Sequence, residues 1–261
     1  ATSSNTISIG QNAGYQLTGD HNVAIGTNAL FDATSAFYNI AIGADAGNNI
    51  TTGDNSVIIG NNAGQAMTTQ NENVLIGQIA GQDLTGQYNV FLGSAAGANA
   101  TSADANVAIG RQAMGAGVAT GDYNVVVGYA AGHNFTSAHS NTIVGLQAGQ
   151  YLTGGDKNTL LGYLAGRSLT TGDGNVFIGY EAGNNTDHDS ESNKLVIANT
   201  NTTTPLIEGD FSTPSVTISG DLGVTGSLIV TGSTLAVQRT MKNDLLSDTT
   251  LSDSYSVYQA L

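Results

Sequence analysis

Apolar and polar positions along this chain repeat a phrase of about 17 residues. Three consecutive apolar residues end on a glycine, and an alanine follows three positions later, as in Val176-Phe177-Ile178-Gly179 and Ala182. The phrase is anchored on Gly10, Gly26, Gly43, Gly60, Gly77, Gly93, Gly110, Gly128, Gly145, Gly162 and Gly179, which lie 16 to 18 residues apart. A short fixed period marks a stacked architecture. The pattern therefore predicts an all-β fold: a parallel β-roll, or β-solenoid, of eleven coils with one short strand before each glycine.

Side chains of a strand alternate between its two faces. The residues one and three before each anchor form β-branched columns, such as Val57 and Ile59 or Val107 and Ile109. These columns are expected to fill the coil interior. The residue between them then faces the other way: Ala24, Ala41, Ile58, Leu75, Phe91, Ala108, Val126, Ile143, Leu160 and Phe177. No charge occurs in that column, and a strand apolar on both faces is buried on both. A copy of the same chain is the simplest cover, so the expectation is a homotrimer with this column at the shared axis. A weaker apolar column seven after the anchor (Leu17, Ile50, Met67, Leu84, Phe135, Leu152, Leu169) predicts a second strand on the return half of each coil.

Asn recurs four before the anchor, from Asn22 to Asn175, and Thr eight after it, from Thr18 to Thr170. Stacked amides and hydroxyls of this kind can hydrogen-bond from coil to coil. Asn-Val-Ala-Ile-Gly, at 22–26 and 106–110, resembles the repeat of trimeric autotransporter adhesin heads, which are left-handed parallel β-rolls. Similar Asn-x-x-x-Gly-x-x-Ala-Gly arrays occur in phage tail fibres. The resemblance covers residues 5–183 and implies a trimeric roll that serves attachment.

The repeat stops after Gly183. Residues 193–198 and 205–211 read as strands separated by a Thr-rich turn. Gly220, Gly226 and Gly232 then recur every six residues, which predicts a thin β-strand shaft of the β-spiral or β-prism kind. The expected organisation is a roll over 1–189, a connector and shaft over 190–237, and a C-terminal tail over 238–261 with helical spacing in part. The block 193–232 is similar to the shaft that follows such rolls in phage fibre proteins. No anchor barrel or coiled-coil stalk of an adhesin is visible.

Composition removes several function classes. The formal net charge of −14 opposes binding to nucleic acid, which needs clustered Lys and Arg, and opposes an anionic membrane surface. There are no cysteines, hence no disulfides or thiolate metal sites. No apolar run approaches a membrane span, so no membrane insertion is expected. Neither a Ser–His–Asp spacing nor His-Glu-x-x-His is present, and the expectation is a non-enzymatic protein without a cofactor.

Two sets of side chains are candidates for binding. Asp20, Asp54, Asp104, Asp122, Asp156 and Asp173 share the column six before the anchor. Asp104 with Asp122, and Asp156 with Asp173, fall on adjacent coils, a spacing of paired carboxylates that suits a retaining glycosidase or a Ca²⁺ ion. Thr-Gly-Asp is also ordinary turn chemistry. Tyr129, Tyr163 and Tyr180 follow the anchor directly in late coils and are candidate glycan contacts, since exposed tyrosines among polar residues suit adaptable recognition. The histidines (His21, His133, His139, His188) share no column. The leading expectation is an extracellular structural and adhesive fibre on a virion tail or cell surface. It would be joined to tail or baseplate proteins and would meet a glycan or protein receptor. A bacterial adhesin head and a glycan-degrading spike are the alternatives.

Overall fold

The computed structural model describes residues 4–185 and 188–225. Among these, fourteen short strands form one sheet in sequence order, and there is no α-helix. Strands β1 (Ile7–Ile9), β2 (Val23–Ile25) and so on to β11 (Val176–Ile178) are three residues long, and each ends just before an anchor glycine. Each pairs parallel and in register with the next, as Leu75 with Phe91. The molecule is a parallel β-solenoid of about eleven turns, as the repeat predicts. Residues up to Asp221 make one compact unit, and those from Leu222 are a second.

The anchor must be glycine because consecutive coils touch there. At Gly60, φ is +143° and an added Cβ would lie 2.2 Å from the carbonyl oxygen of Gly77. The chain turns at that point, and the coil spacing leaves no room for a side chain.

The interior differs from the expectation in one decisive way. Ala24, Ala41, Ile58, Leu75, Phe91, Ala108, Val126, Ile143, Leu160 and Phe177, predicted at a trimer axis, are fully buried within a single copy of the chain. The flanking β-branched columns, predicted to be interior, point outward. The reason is volume. A three-residue strand closed by a glycine corner leaves each coil room for one inward strand side chain. The rest of the core comes from the alanine three after the anchor, the residue four after it, the apolar residue seven after it and, in some coils, a further alanine such as Ala36, Ala103 or Ala138.

Those positions compensate one another in size. Where the strand contributes Ala24, the fourth position is Leu30 and the seventh is Ala33; where it contributes Ala108, the fourth is Met114. Where it contributes Phe91, the fourth is Gly97, and a Cβ there would lie 2.3 Å from the Phe91 ring. Leu30 and Met114 hold φ of 48° and 51°, a left-handed conformation that costs an L-residue about 1–2 kcal/mol. Burying a Leu or Met side chain returns about 1.5–3 kcal/mol, so packing prevails over backbone preference at both.

The apolar column seven after the anchor is buried, from Leu17 to Leu169, yet no strand forms there. The return half is a stack of turns, tied coil to coil by bonds such as Gly64 N to Ala80 O (2.9 Å) and Ala66 N to Gln82 O (2.8 Å). Left-handed residues two after the anchor, including Asn62 and Gln112, break any extended run.

The amide column supplies the polar counterpart of the core. Asn22 Oδ1 accepts the Asn39 N–H at 2.9 Å, and Asn22 Nδ2 donates to the Ala36 carbonyl at 2.7 Å. The same pair of bonds runs from Asn124 to Asn141 N and to Ala138 O. Thr hydroxyls donate to the matching carbonyl of the next coil, as Thr136 to Thr153 at 2.9 Å. Thr120 joins this file although Gly110 to Gly128 is the longest repeat; the extra residue shifts it out of simple alignment.

Beyond the coils, β12 (Lys194–Ile197) extends the sheet parallel to β11. The chain then folds back, and β13 (Ile207–Asp210) and β14 (Ser215–Ile218) add antiparallel strands. Both strands predicted after the roll are present. The later glycines of the six-residue repeat (Gly226, Gly232) and the predicted tail at 238–261 lie outside the described residues.

Candidate functional site

Because the flanking columns face outward, the sheet carries two apolar files on its exposed side. The register aligns Val176 with Leu195 and Ile178 with Ile197, then Ile197 with Ile207 and Ile207 with Ile218. One file therefore runs from Ile9 to Ile218 across all fourteen strands. The other runs from Ile7 to Val216, with Thr142 and Thr159 in place of valine on two coils and a gap at Gly209. Several members are well exposed in the single chain: Ile9 58%, Ile7 51%, Leu161 46%, Val125 40%, Ile109 39%. Each is β-branched or aliphatic because a pleated surface favours such shapes. Beside the gap at Gly209, a groove of about 280 Å³ is lined by Leu195, Phe211, Pro214 and Val216.

The predicted tyrosines occupy one column that also holds Leu146 and Arg111. Tyr129, Leu146, Tyr163 and Tyr180 are 41–50% exposed on consecutive coils. Tyr163 and Tyr180 stack with centroids 5.0 Å apart and planes 10° from parallel. The Arg111 guanidinium lies 5.6 Å from the Tyr129 ring centroid. The Glu181 carboxylate beside it raises the Tyr180 hydroxyl above the usual phenol value. Reading the whole column, rather than its tyrosines alone, would have found Leu146 and Arg111 from sequence. Tyr151 lies elsewhere, 4.9 Å beneath the Arg167 guanidinium.

The six aspartates do lie in one column, and the coils place Asp104 beside Asp122 and Asp156 beside Asp173. Their contact runs through main chain. Asp122 Oδ1 accepts the Asp104 N–H at 2.8 Å, and Asp173 Oδ1 accepts the Asp156 N–H at 2.7 Å. Asp20, Asp54, Asp104 and Asp156 likewise accept from Ser4, Phe37, Gln87 and His139. One oxygen of each carboxylate is thus committed to the turn ladder. Among the described residues no three His, Cys, Asp or Glu side chains are grouped to hold a metal ion.

The histidines are dispersed. His139 takes a place in the aspartate column, where Nδ1 accepts the Asp122 N–H at 2.9 Å. His21 stacks on Tyr38 at 4.9 Å. His188 is buried against Phe177, 2.7 Å from Glu191, at the end of the coil stack. No helix among the described residues is long and apolar enough to cross a membrane. No protein-family model, curated protein or solved structure matches this chain.

Proposed function

We propose that this chain is a structural and adhesive fibre that assembles as a homotrimer through its outward sheet face. Its setting would be a phage tail fibre, or the fibre of a related contractile machine, outside the cell it attaches to. The observation that carries this reading is the pair of apolar files. A contiguous exposed apolar surface of this length exceeds what monomers leave in water and marks an interaction surface. The same kind of file at every coil lets copies of the chain meet in one register around a shared axis, closed as a ring of three. The trimer in particular rests on the likeness of Asn-Val-Ala-Ile-Gly to trimeric heads, and the phage setting on the shaft-like block that follows the roll.

Attachment would come from many weak contacts held by a stiff scaffold, since three copies raise effective concentration without any new contact. The tyrosine column with Tyr129, Tyr163 and Tyr180 is the proposed receptor surface, and a cell-surface glycan is its proposed ligand.

Light scattering of the full chain tests assembly. The expected result is three times the monomer mass for the native protein. Ile109→Glu with Leu161→Glu should give a single-chain mass and an unchanged far-ultraviolet spectrum. A native protein that stays monomeric at micromolar concentration overturns the assembly. Tyr163→Ala with Tyr180→Ala should lower adsorption to host cells without changing mass; full adsorption would remove the tyrosines from the reading.

A further inference from the structure

We infer that coils 1–3 carry a second binding site, for a neutral saccharide, separate from the tyrosine column. A depression of about 250 Å³ is lined by Asn12, Asn28, Phe31, Asp32 and Asn48. Tyr15, 70% exposed, stacks on Phe31 with centroids 5.2 Å apart and planes 7° from parallel. An open aromatic face therefore stands beside a wall of amides and a carboxylate. These two rings share the column five after the anchor, where the next three coils have Asn48, Gln65 and Gln82. A sugar ring needs this combination. Its C–H face packs on an aromatic surface, and each hydroxyl asks for a donor and an acceptor, which amide and carboxylate groups supply together.

The polar wall is set before any ligand arrives. Asn12 Nδ2 donates to Asn28 Oδ1 (3.1 Å), Asn28 Nδ2 to Asp45 Oδ1 (3.0 Å), and Asn48 Nδ2 to the same Asp45 oxygen (3.3 Å). Gln16 Nε2 donates to Asp32 Oδ1 at 2.8 Å. Asp32 Oδ2 and Asn48 Oδ1 take no bond among the described residues, and Asn12, Asn28 and Gln16 each keep a second amide proton, whereas Asn48 Nδ2 also donates to the Asn28 carbonyl at 3.3 Å. Side chains already ordered cost little further entropy on binding.

Charge decides the class of sugar. All six Lys and Arg residues lie at or beyond Arg111, and Asp32 and Asp45 border the depression. Among the described residues a uronic acid, a sialic acid or a phosphate would meet only the negative charge of Asp32 and Asp45 there, which a neutral hexose or an N-acetylhexosamine tolerates. The site rests on the adhesive reading for its use at a cell surface, not for its chemistry.

The test uses the full chain and the methyl glycosides of glucose, galactose, mannose and N-acetylglucosamine, with glucuronate as the anionic control. Saturation-transfer NMR should show at least one neutral glycoside in contact with aromatic protons. Tyr15→Ala and Asp32→Ala should each weaken that binding about tenfold, the size of one lost stacking or charge-assisted contact, with melting temperature unchanged. Binding by none of the four, equal binding in both variants, or preference for glucuronate overturns the inference. Adsorption of the Tyr163→Ala, Tyr180→Ala protein is read separately, so the fibre reading can survive the loss of this site, and the reverse.

Discussion

Coil 5, with Leu75, and the hairpin of β13 and β14 are both built from short apolar strands in one sheet, yet they hold themselves together differently. Leu75 is fully buried, and Gly64 and Gly81 stand against its methyl groups. Val216 in β14 is 64% exposed, and every residue of that strand faces solvent. A coil closes on itself and seals one side chain per strand in its own core. A hairpin added to the edge of the sheet has no return half, so its backbone bonds are made but the side chains of its outer strand stay uncovered. A short strand thus brings hydrogen bonds wherever it pairs, and brings hydrophobic stabilisation only where the chain comes back over it.

Glycine substitution separates the two regions most strongly. Gly60→Ala should cost about 3–5 kcal/mol, from a strained φ together with a backbone collision, or abolish folding. Gly220→Ala, whose Cβ would meet only Leu206 Cδ1 at 3.8 Å, should stay within about 0.5 kcal/mol. Urea unfolding of both variants measures the contrast, and similar values would end it. Next in size, Leu75→Ala should cost about 2–5 kcal/mol, against less than about 0.5 kcal/mol for Val216→Ala in the stability of the single chain.

The amide column allows a finer probe. Asn106→Ala strips the acceptor from Asn124 N–H and the donor from the Gly121 carbonyl, both buried, and should cost about 1–3 kcal/mol. Ser56 interrupts this column, although its hydroxyl still accepts the Asn73 N–H at 3.2 Å. Ser56→Asn should restore the missing donor and raise stability by about 1 kcal/mol, seen as a higher unfolding midpoint with an unchanged slope.

The smallest effect is electrostatic and confined to the hairpin. The Ser212 hydroxyl, then Lys194 at 2.9 Å, hold the Asp210 carboxyl well below the usual range. A depressed acid contributes stability above its unfolded value, about 3.9, and loses it as pH falls further toward the folded value. Lys194 is raised, chiefly by Asp210. Its contribution is present below about 10.4 and fades as pH rises through the folded value. The protection of β13 amides, taken relative to the intrinsic exchange rate at each pH, should therefore be flat between these limits and fall in acid before that of the coil amides.

Much of this was legible in one sequence. The period located all eleven coil strands, and the repeated Asn and Thr foretold the ladders, because a stacked coil must satisfy the same backbone groups at each level. Which face of each strand points inward was not legible in the column pattern alone. Two β-branched columns flanking one column suggest that the larger set lies inside. The better signal was the exchange of size between Ala24 and Leu30, or Phe91 and Gly97, since only residues sharing one enclosed volume need to compensate. The aspartate pairs were placed correctly in space, but their role as acceptors of main-chain N–H groups depends on the turn geometry.

Sequence alone determined the period, the glycine corners and the polar ladders, for these follow from local backbone rules repeated at fixed spacing. Tertiary structure alone decided which face of each three-residue strand is the core. That choice depends on the space left once the return half has folded over, a volume set by residues well along the chain, as Ala33 and Ala36 are from Ala24. From it follow the outward apolar files, and with them the surface offered to any partner.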